Sequence, residues 1–286
     1  YLIYVLLATV CDVMPLRKMN RLISIIALKE FDLKDNYLIK KIYDLSQKKN
    51  KININDLGFL IGPILNAGGR LGKSNYATEL MSTSSQKIID DKTTKLIALN
   101  EKRKKIESVI LNTIDFRKIE KDNKGIIIFH NPNINEGLIG IVASRLKDYF
   151  NKPSIVITNS NYFLKCSARS IPSYNIGKAI KRALNRNIIL NGGGHDMAAG
   201  FSLKKNKLDD FKKFINKDFI KKSRKSEFEF TYDSEISFLA LKKNFTEDIN
   251  RLQPFGNGNP LPTFFLKNLT AIKPKILSNK HILCFL

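Results

Sequence analysis

There is no tryptophan among the 286 residues, and only three cysteines and three histidines. Cys11, Cys166 and Cys284 stand far apart, odd in number and without a C-x-x-C pair. This argues against a disulfide framework or a cysteine-built zinc site and points to a reducing, cytoplasmic setting. Long apolar runs are missing too. The opening stretch YLIYVLLATVC falls well short of the ~20 residues a bilayer span needs, and it ends on Asp12. Acidic residues are scarce beside basic ones, 26 against 49, which leaves a formal charge of +23. Such an excess suits a polyanionic partner, because Lys and Arg displace condensed counterions from phosphate backbones. General enrichment in Lys, Asn and Ile would produce the same excess. The basic residues are spread along the whole chain, so charge alone does not choose.

What is present is a hydrophobic content of 43%, sufficient for one large or two to three ordinary domains. The start on Tyr1 and the apolar close HILCFL suggest a piece of a longer protein. Residues 1–60 read as helical, with LISIIALKEF apolar and DNYLIKKIYDLSQKK amphipathic. GFLIGPILNAGGRLG reads as a glycine-rich loop. From about Gln86 to Phe116, Ile89, Leu96, Leu99, Ile106 and Ile110 recur at helical spacing. A helix of ~30 residues would be ~45 Å long, the length of a strut between two domains.

After Lys124 strands and helices alternate. GIIIFH, SIVITNS, YFLKCSARS and AAGFSL have strand character; EGLIGIVASRLKDYF, IGKAIKRALNR and LDDFKKFINKDFIKK have helical character. This order predicts an α/β fold with a mixed sheet and helices packed on it. Beyond Ser226, EFEFTYDSEISF alternates like a half-exposed strand, LALKKNFTEDINRL is helix-like, and PFGNGNP, TFFLKNL and HILCFL suggest a small β-rich domain.

Four places carry candidate chemistry, each with a plainer alternative. Alternation along YFLKCSARS puts Phe163, Lys165, Ser167 and Arg169 on one strand face, and Tyr162, Leu164, Cys166 and Ala168 on the other. A hydroxyl beside a guanidinium suits a phosphate, although an ordinary solvated face would look the same. In GPILNAGGRLG, Gly68 and Gly69 flanked by Asn66 and Arg70 form either an anion nest or a helix-capping loop. Asp12 closes an apolar run as either a metal-bound carboxylate or a solvated helix end paired with Arg17 or Arg21. In NGGGHDMAAGF, the glycines before His195 either admit a ligand to the main chain or lead to a surface histidine.

Together and in this order, these segments resemble the RecJ family of DHH phosphoesterases. ATVCDVMPL with NRL resembles the family's last metal-binding motif and GPILNAGGRL its inter-domain motif. EGLIGIVASRL resembles the entry to the DHH-associated domain, and CSARS and GGGHDMAAGF that domain's substrate motifs. LQPFGNGNPLP resembles the start of an OB-type domain.

The resemblance implies a single-strand-specific 5′→3′ DNA exonuclease of repair and recombination that uses two Mn2+ or Mg2+ ions. It implies that Asp12 binds metal, and that Asn66, Arg70, Ser167 and Arg169 hold the terminal or scissile phosphate. Gly193, Gly194 and His195 match the G-G-H of the lid side, His195 acting on the phosphoryl charge rather than as general base. It implies single-stranded DNA as partner, a monomer, and single-strand-binding protein or helicase companions.

The implied layout is the end of a DHH catalytic domain in 1–75, a helical linker in 76–118, the DHH-associated domain in 119–224 and a partial OB-type domain in 225–286. The Asp-His-His signature and the earlier aspartates are expected upstream of Tyr1, so these residues alone should not hydrolyse DNA. Where many relatives carry W-H-x-G, this chain has Ile134, Asn135, Glu136 and Gly137, with Asn135 in place of the histidine. The rival readings are a short-oligonucleotide or cyclic-dinucleotide phosphodiesterase of the same superfamily, and a non-catalytic single-strand-binding relative.

Overall fold

The computed structural model describes residues 1–122, 125–223, 231–277 and 281–285. The chain forms two compact units. One comprises Tyr1–Asp35, Asn50–Leu60 and Phe228–Leu286, the other Asn36–Lys49 and Ile61–Glu227. In chain order, α1 (Leu2–Cys11) and α2 (Lys18–Glu30) open the first unit. α3 (Tyr37–Leu45) belongs to the second, and Asn36 caps it by accepting from the amide of Ile39. A single turn, α4 (Ile54–Asp56), is capped in the same way by Asn53. Then come α5 (Gly62–Arg70), α6 (Asn75–Ser82), α7 (Gln86–Asn112) and α8 (Phe116–Asp122).

The stretch read as a glycine loop is therefore helical as far as Arg70, and of the two alternatives at Gly68 and Gly69 this removes the anion nest. Neither glycine has the positive φ that a nest requires; the left-handed turn falls later, at Gly72. A Cβ on Gly68 would lie 2.5 Å from the Lys73 carbonyl oxygen and 3.2 Å from Leu96 Cδ2. Gly68 thus lets α5 sit close against α7, and that packing overrides its poor helix propensity. The long helix α7 has 27 residues and buries Ile89, Thr93, Leu96, Asn100 and Glu107. It packs on α3, α5 and α6.

The rest of the second unit is a five-stranded mixed sheet. It contains β1 (Ile127–His130), α9 (Ile139–Phe150), β2 (Ser154–Asn159), β3 (Leu164–Arg169), α10 (Ile176–Asn185), β4 (Asn191–His195), β5 (Ala198–Leu203) and α11 (Leu208–Lys222). The strand order is β1-β2-β3-β5-β4. Only β1 and β2 are parallel, joined through α9; the other pairs are antiparallel. The glycine run NGGGH, which is not among the stretches given strand character from sequence, is the edge strand β4.

One face of the sheet packs Leu164, Cys166, Ala168, Phe201 and Leu203 against Ile176, Ile180, Phe211 and Ile215 of α10 and α11. Burial pushes the Cys166 thiol well above its ordinary pKa. On the other face, Ile127 and Val156 meet Ile139, Val142 and Leu146 of α9, and Ile106 and Ile110 of α7 join them. Arg182 grips Asp218 with two bonds of 2.7 and 2.6 Å, and the Tyr174 hydroxyl donates to the same carboxylate at 2.8 Å. This bolts α10 to α11. Burial alone would raise the Asp218 carboxyl, but donation from Arg182 and Tyr174 outweighs it and holds the pKa low.

The first unit resumes with β6 (Ser234–Glu235), α12 (Lys243–Arg251), β7 (Phe264–Phe265), β8 (Ile272–Leu277) and β9 (His281–Phe285). β6 pairs with β7 in parallel, and β8 with β9 antiparallel. Of the alternating stretch EFEFTYDSEISF, residues 227–230 lie outside the described residues, and only Ser234–Glu235 is strand in the remainder. No helix among the described residues is long and apolar enough to cross a membrane.

Candidate functional site

Strand register assembles most of the second unit's candidate residues on one face. Arg169 pairs with Ala198, and Ala198 with His195; Ser167 pairs with Gly200, and Gly200 with Gly193. Directly opposed residues project from the same face, so these are two adjacent rows of one surface. Two strand spacings put Arg169 and His195 about 10 Å apart at the main chain. A Cβ on Gly193 or Gly200 would meet nothing within 4 Å. Beside the row Arg169–Ala198–His195, Gly200 and Gly193 continue from Ser167 as a shelf of bare backbone.

The glycines next to this shelf serve the other face. A Cβ on Gly192 would lie 2.5 Å from Phe201 Cβ, and one on Gly194 would strike Ala199 and the Ala198 carbonyl. Gly193 thus clears the surface, whereas Gly194 lets β4 close on β5. Gly200, which reading the sequence passed over, matches Gly193 in openness. Its only local signal is a glycine inside a strand pattern.

At the Arg169 end, the shelf runs up to the start of α9. A Cβ on Gly140 would be 3.0 Å from Arg169 Nη2 and 3.2 Å from Ser167 Oγ. Arg169 Nη1 donates to Ser167 Oγ at 3.2 Å and to the Ala168 carbonyl at 2.8 Å. The first amides of a helix have no intrahelical acceptor, so those of Ile139 and Gly140 add main-chain donors to the side-chain ones.

The loop before α9 is pinned to the end of α5. Arg70 Nη1 donates to the Gly137 carbonyl at 3.2 Å, and a Cβ on Gly137 would collide with the Arg70 backbone. Asn135 accepts the Gly137 amide at 2.8 Å through its side-chain oxygen. The residue at the histidine position thus shapes the turn that receives Arg70. Asn66 lies one helical turn before Arg70 on the same face of α5, and it is exposed.

The electrostatics of this corner are one-sided. Burial pushes both Arg70 and Arg169 below the usual arginine range, with the charge of Arg103 acting further on Arg70 and that of Arg70 on Arg169. Both remain cations, since a guanidinium does not deprotonate in proteins. The one buried carboxylate among these cations, Glu107, accepts from Arg103 at 3.0 Å and Arg145 at 2.7 Å. Glu107 offsets part of the charge on Arg70, and the half-buried pair Arg70 and Arg169 makes a site that an anion would stabilise.

His195 is exposed, and its Nδ1 lies 3.4 Å from the Met197 amide. An Nδ1 that accepts this bond leaves the proton of a neutral ring on Nε2, available to an acceptor on the shelf.

Asp12 belongs to the first unit, where it caps the C-terminus of α1 and is exposed. Pairing with Arg17 or Arg21 is not what the structure shows. Arg17 Nε donates to the Gly258 carbonyl at 2.7 Å, and Arg21 Nη2 donates to that of Leu252 at 2.8 Å. The exposed Asp12 carboxylate is a hard oxygen donor of the kind Mn2+ and Mg2+ take. Among the described residues no group of three or more His, Cys, Asp or Glu could hold a metal ion. Asp12 fits as one contributor to such a site, not as a site in itself.

Residues 122–221 match the DHHA1 domain, and residues 232–286 match the RecJ OB domain. The chain is 30% identical over 275 residues to the single-stranded-DNA-specific exonuclease RecJ of Haemophilus influenzae, covering 91% of this chain and 47% of that protein. It is 29% identical over 270 residues to the Bacillus subtilis protein of the same name, covering 92% of this chain and 34% of that one. The chain thus spans between about a third and a half of these relatives. The fold is similar to that of RecJ from Thermus thermophilus solved in complex with Mn2+. The TM-score is 0.86 at 23% identity, over 98% of this chain and 42% of that one.

Proposed function

This chain belongs to the RecJ family, and from that premise we propose that it is the substrate-holding part of a metal-dependent 5′→3′ exonuclease acting on single-stranded DNA. The observation that carries the reading is the corner where Arg70, Arg169, Ser167 and the first amides of α9 converge with an excess of positive charge. A terminal phosphate held there would receive charge-assisted bonds from two guanidiniums, a hydroxyl bond and main-chain donors. The following sugar-phosphate would lie across Gly200 and Gly193, where no side chain intervenes. Such a surface contacts the polymer backbone rather than the base edges, as a nuclease without sequence preference requires.

His195 would donate from Nε2 to a phosphoryl oxygen as its charge grows. Asp12 would be one ligand of the Mn2+ or Mg2+ pair, with its other ligands outside these residues; when bound, that pair supplies an activated water and charge neutralisation at phosphorus. Gly194 supports this geometry from beneath. Asn66 would add a donor to the phosphate from the exposed face of α5.

The proposed layout keeps 1–75 as the end of the catalytic domain, 76–118 as the linker, 119–224 as the DHH-associated domain and 225–286 as the OB-type domain. The match of residues 232–286 to the RecJ OB domain favours long strands over cyclic dinucleotides. Work in DNA repair and recombination within the cytoplasm, alongside single-strand-binding proteins or helicases, belongs to the same proposal.

The test is Arg169→Ala in the full-length parent. A charged hydrogen bond contributes roughly 1.5–3 kcal/mol, so affinity for 5′-phosphorylated strands should fall on the order of tenfold or more. Strands with a 5′ hydroxyl should lose far less. Equal losses for both end chemistries would remove the phosphate from this corner.

A further inference from the structure

The first unit holds a second arrangement, built around the turn beside Asp12. Immediately after that residue the chain passes through Val13 at φ +56, a left-handed conformation that a β-branched residue avoids. Residues in such conformations persist only where the surroundings over-determine them, and they cluster at functional positions. Part of the support is local: the Val13 amide donates to the Val10 carbonyl at 3.1 Å and the Met14 amide to that of Thr9 at 2.9 Å, closing the end of α1; residues 252–258 supply the rest. The Asn257 side-chain amide donates to the Val13 carbonyl, and the Asn257 carbonyl accepts the Leu16 amide at 2.6 Å. One residue thus grips both ends of the segment Val13–Leu16. Arg17 and Arg21 extend the grip by donating to the carbonyls of Gly258 and Leu252.

Packing makes the grip selective for this loop. A Cβ on Gly256 would lie 2.7 Å from Leu16 Cδ1, and Leu16 is only 2% exposed. Gly258 has φ +74, and a Cβ there would come within 3.0 Å of Pro15 Cβ. Both glycines of PFGNGNP allow main chain to lie directly against Pro15 and Leu16.

We propose that the loop PFGNGNP, residues 254–260, is a positioning brace that holds the strained turn at Val13 and so aims the Asp12 carboxylate. This rests on the reading of Asp12 as a metal ligand and assigns the loop a role in metal binding that is separate from contact with DNA. Groups that orient a metal ligand commonly change metal affinity when removed, by roughly 10–100-fold.

The experiment titrates the full-length parent with Mn2+ alone, following the free-ion signal by electron paramagnetic resonance, with no DNA and no turnover. Asn257→Ala should weaken Mn2+ binding about tenfold while the melting temperature stays within a few degrees of the parent's. Asn257→Asp keeps the side chain's size but removes the donor. It should weaken binding similarly, and it serves if the alanine variant does not fold. The discriminating variant is Val13→Gly combined with Asn257→Ala. Glycine adopts this φ without strain, so the turn should survive without its brace and Mn2+ affinity should recover.

Parent-like Mn2+ affinity in both Asn257 variants would overturn the brace, and so would a loss that Val13→Gly leaves unrepaired. Asp12→Ala separates the two layers. If it leaves Mn2+ binding intact, the reading of Asp12 fails. If it weakens binding while the Asn257 variants do not, only the brace fails.

Discussion

Arg169 and His195 are positioned by ladders, whereas Asp12 is positioned by a turn and by a loop distant in sequence. On the sheet, two rows of paired residues set Arg169, Ser167, Gly193 and His195 in register, and a one-residue slip would turn all of them to the opposite face. The buried side chains of β3 and β5 forbid that slip. Around Asp12 there is no ladder. The turn depends on two bonds back to the end of α1, on a few from residues 252–258 and on Val13 holding a left-handed conformation. The first arrangement spreads its constraint over a cooperative core. The second concentrates it in one loop, so single substitutions should act there with more leverage.

The largest expected effect is at the carboxylate itself. Asp12→Ala should cut Mn2+- or Mg2+-dependent turnover of the full-length parent by at least ~100-fold, since a bound metal supplies several kcal/mol of transition-state stabilisation. Affinity for 5′-phosphorylated strands without metal should hardly change. Turnover at the parent's rate would remove Asp12 from the metal site.

The ladder is probed by neighbouring glycines. Gly192→Ala pushes a methyl into Phe201 and should destabilise the second unit by about 1–3 kcal/mol, read as a lower denaturant midpoint. Gly193→Ala meets open space and should leave that midpoint unchanged or slightly raised. It should nevertheless weaken binding of 5′-phosphorylated strands. Loss of stability in both variants, or in neither, would break the assignment of the two faces.

The smallest effect concerns acid. Asp218 has a folded pKa held below its ordinary value, so the stability it contributes is present above about pH 4 and is lost as the pH falls through the folded value. Hydrogen-exchange protection of β5 should therefore decline at low pH, and Asp218→Asn should flatten that decline. The clasp around Val13 is built from Arg17, Arg21 and Asn257 donating to main-chain carbonyls, and its protection should stay level over the same range.

How far each region was legible in the sequence follows the same division. Alternation along CSARS placed Ser167 and Arg169 on one face and Cys166 and Ala168 in the core, and the strand is built that way. Helical periodicity found α7, α9, α10 and α11; α9, α10 and α11 each bury an apolar stripe, whereas α7 buries Ile89 and Leu96 beside Thr93, Asn100 and Glu107. NGGGH escaped, since three glycines carry no hydrophobic period and become strand only by packing on β5. GPILNAGG was misread for the converse reason: its glycines look like breakers, yet Gly68 is set by contact with α7. The roles proposed for Asp12 and His195 come only from the family resemblance. The bond from Arg17 to Gly258 spans 241 residues of sequence, and no local pattern announces it.

Gly193 and Gly200 carry a consequence for anyone who edits this chain. At a strand position with open space above it, replacing glycine commonly raises thermal stability by reducing the freedom of the unfolded chain. A screen that rewards heat resistance would therefore select against the bare surface on which the proposed binding depends. Variants collected in that way would be tougher proteins and poorer binders of 5′-phosphorylated strands, and their melting curves would give no warning.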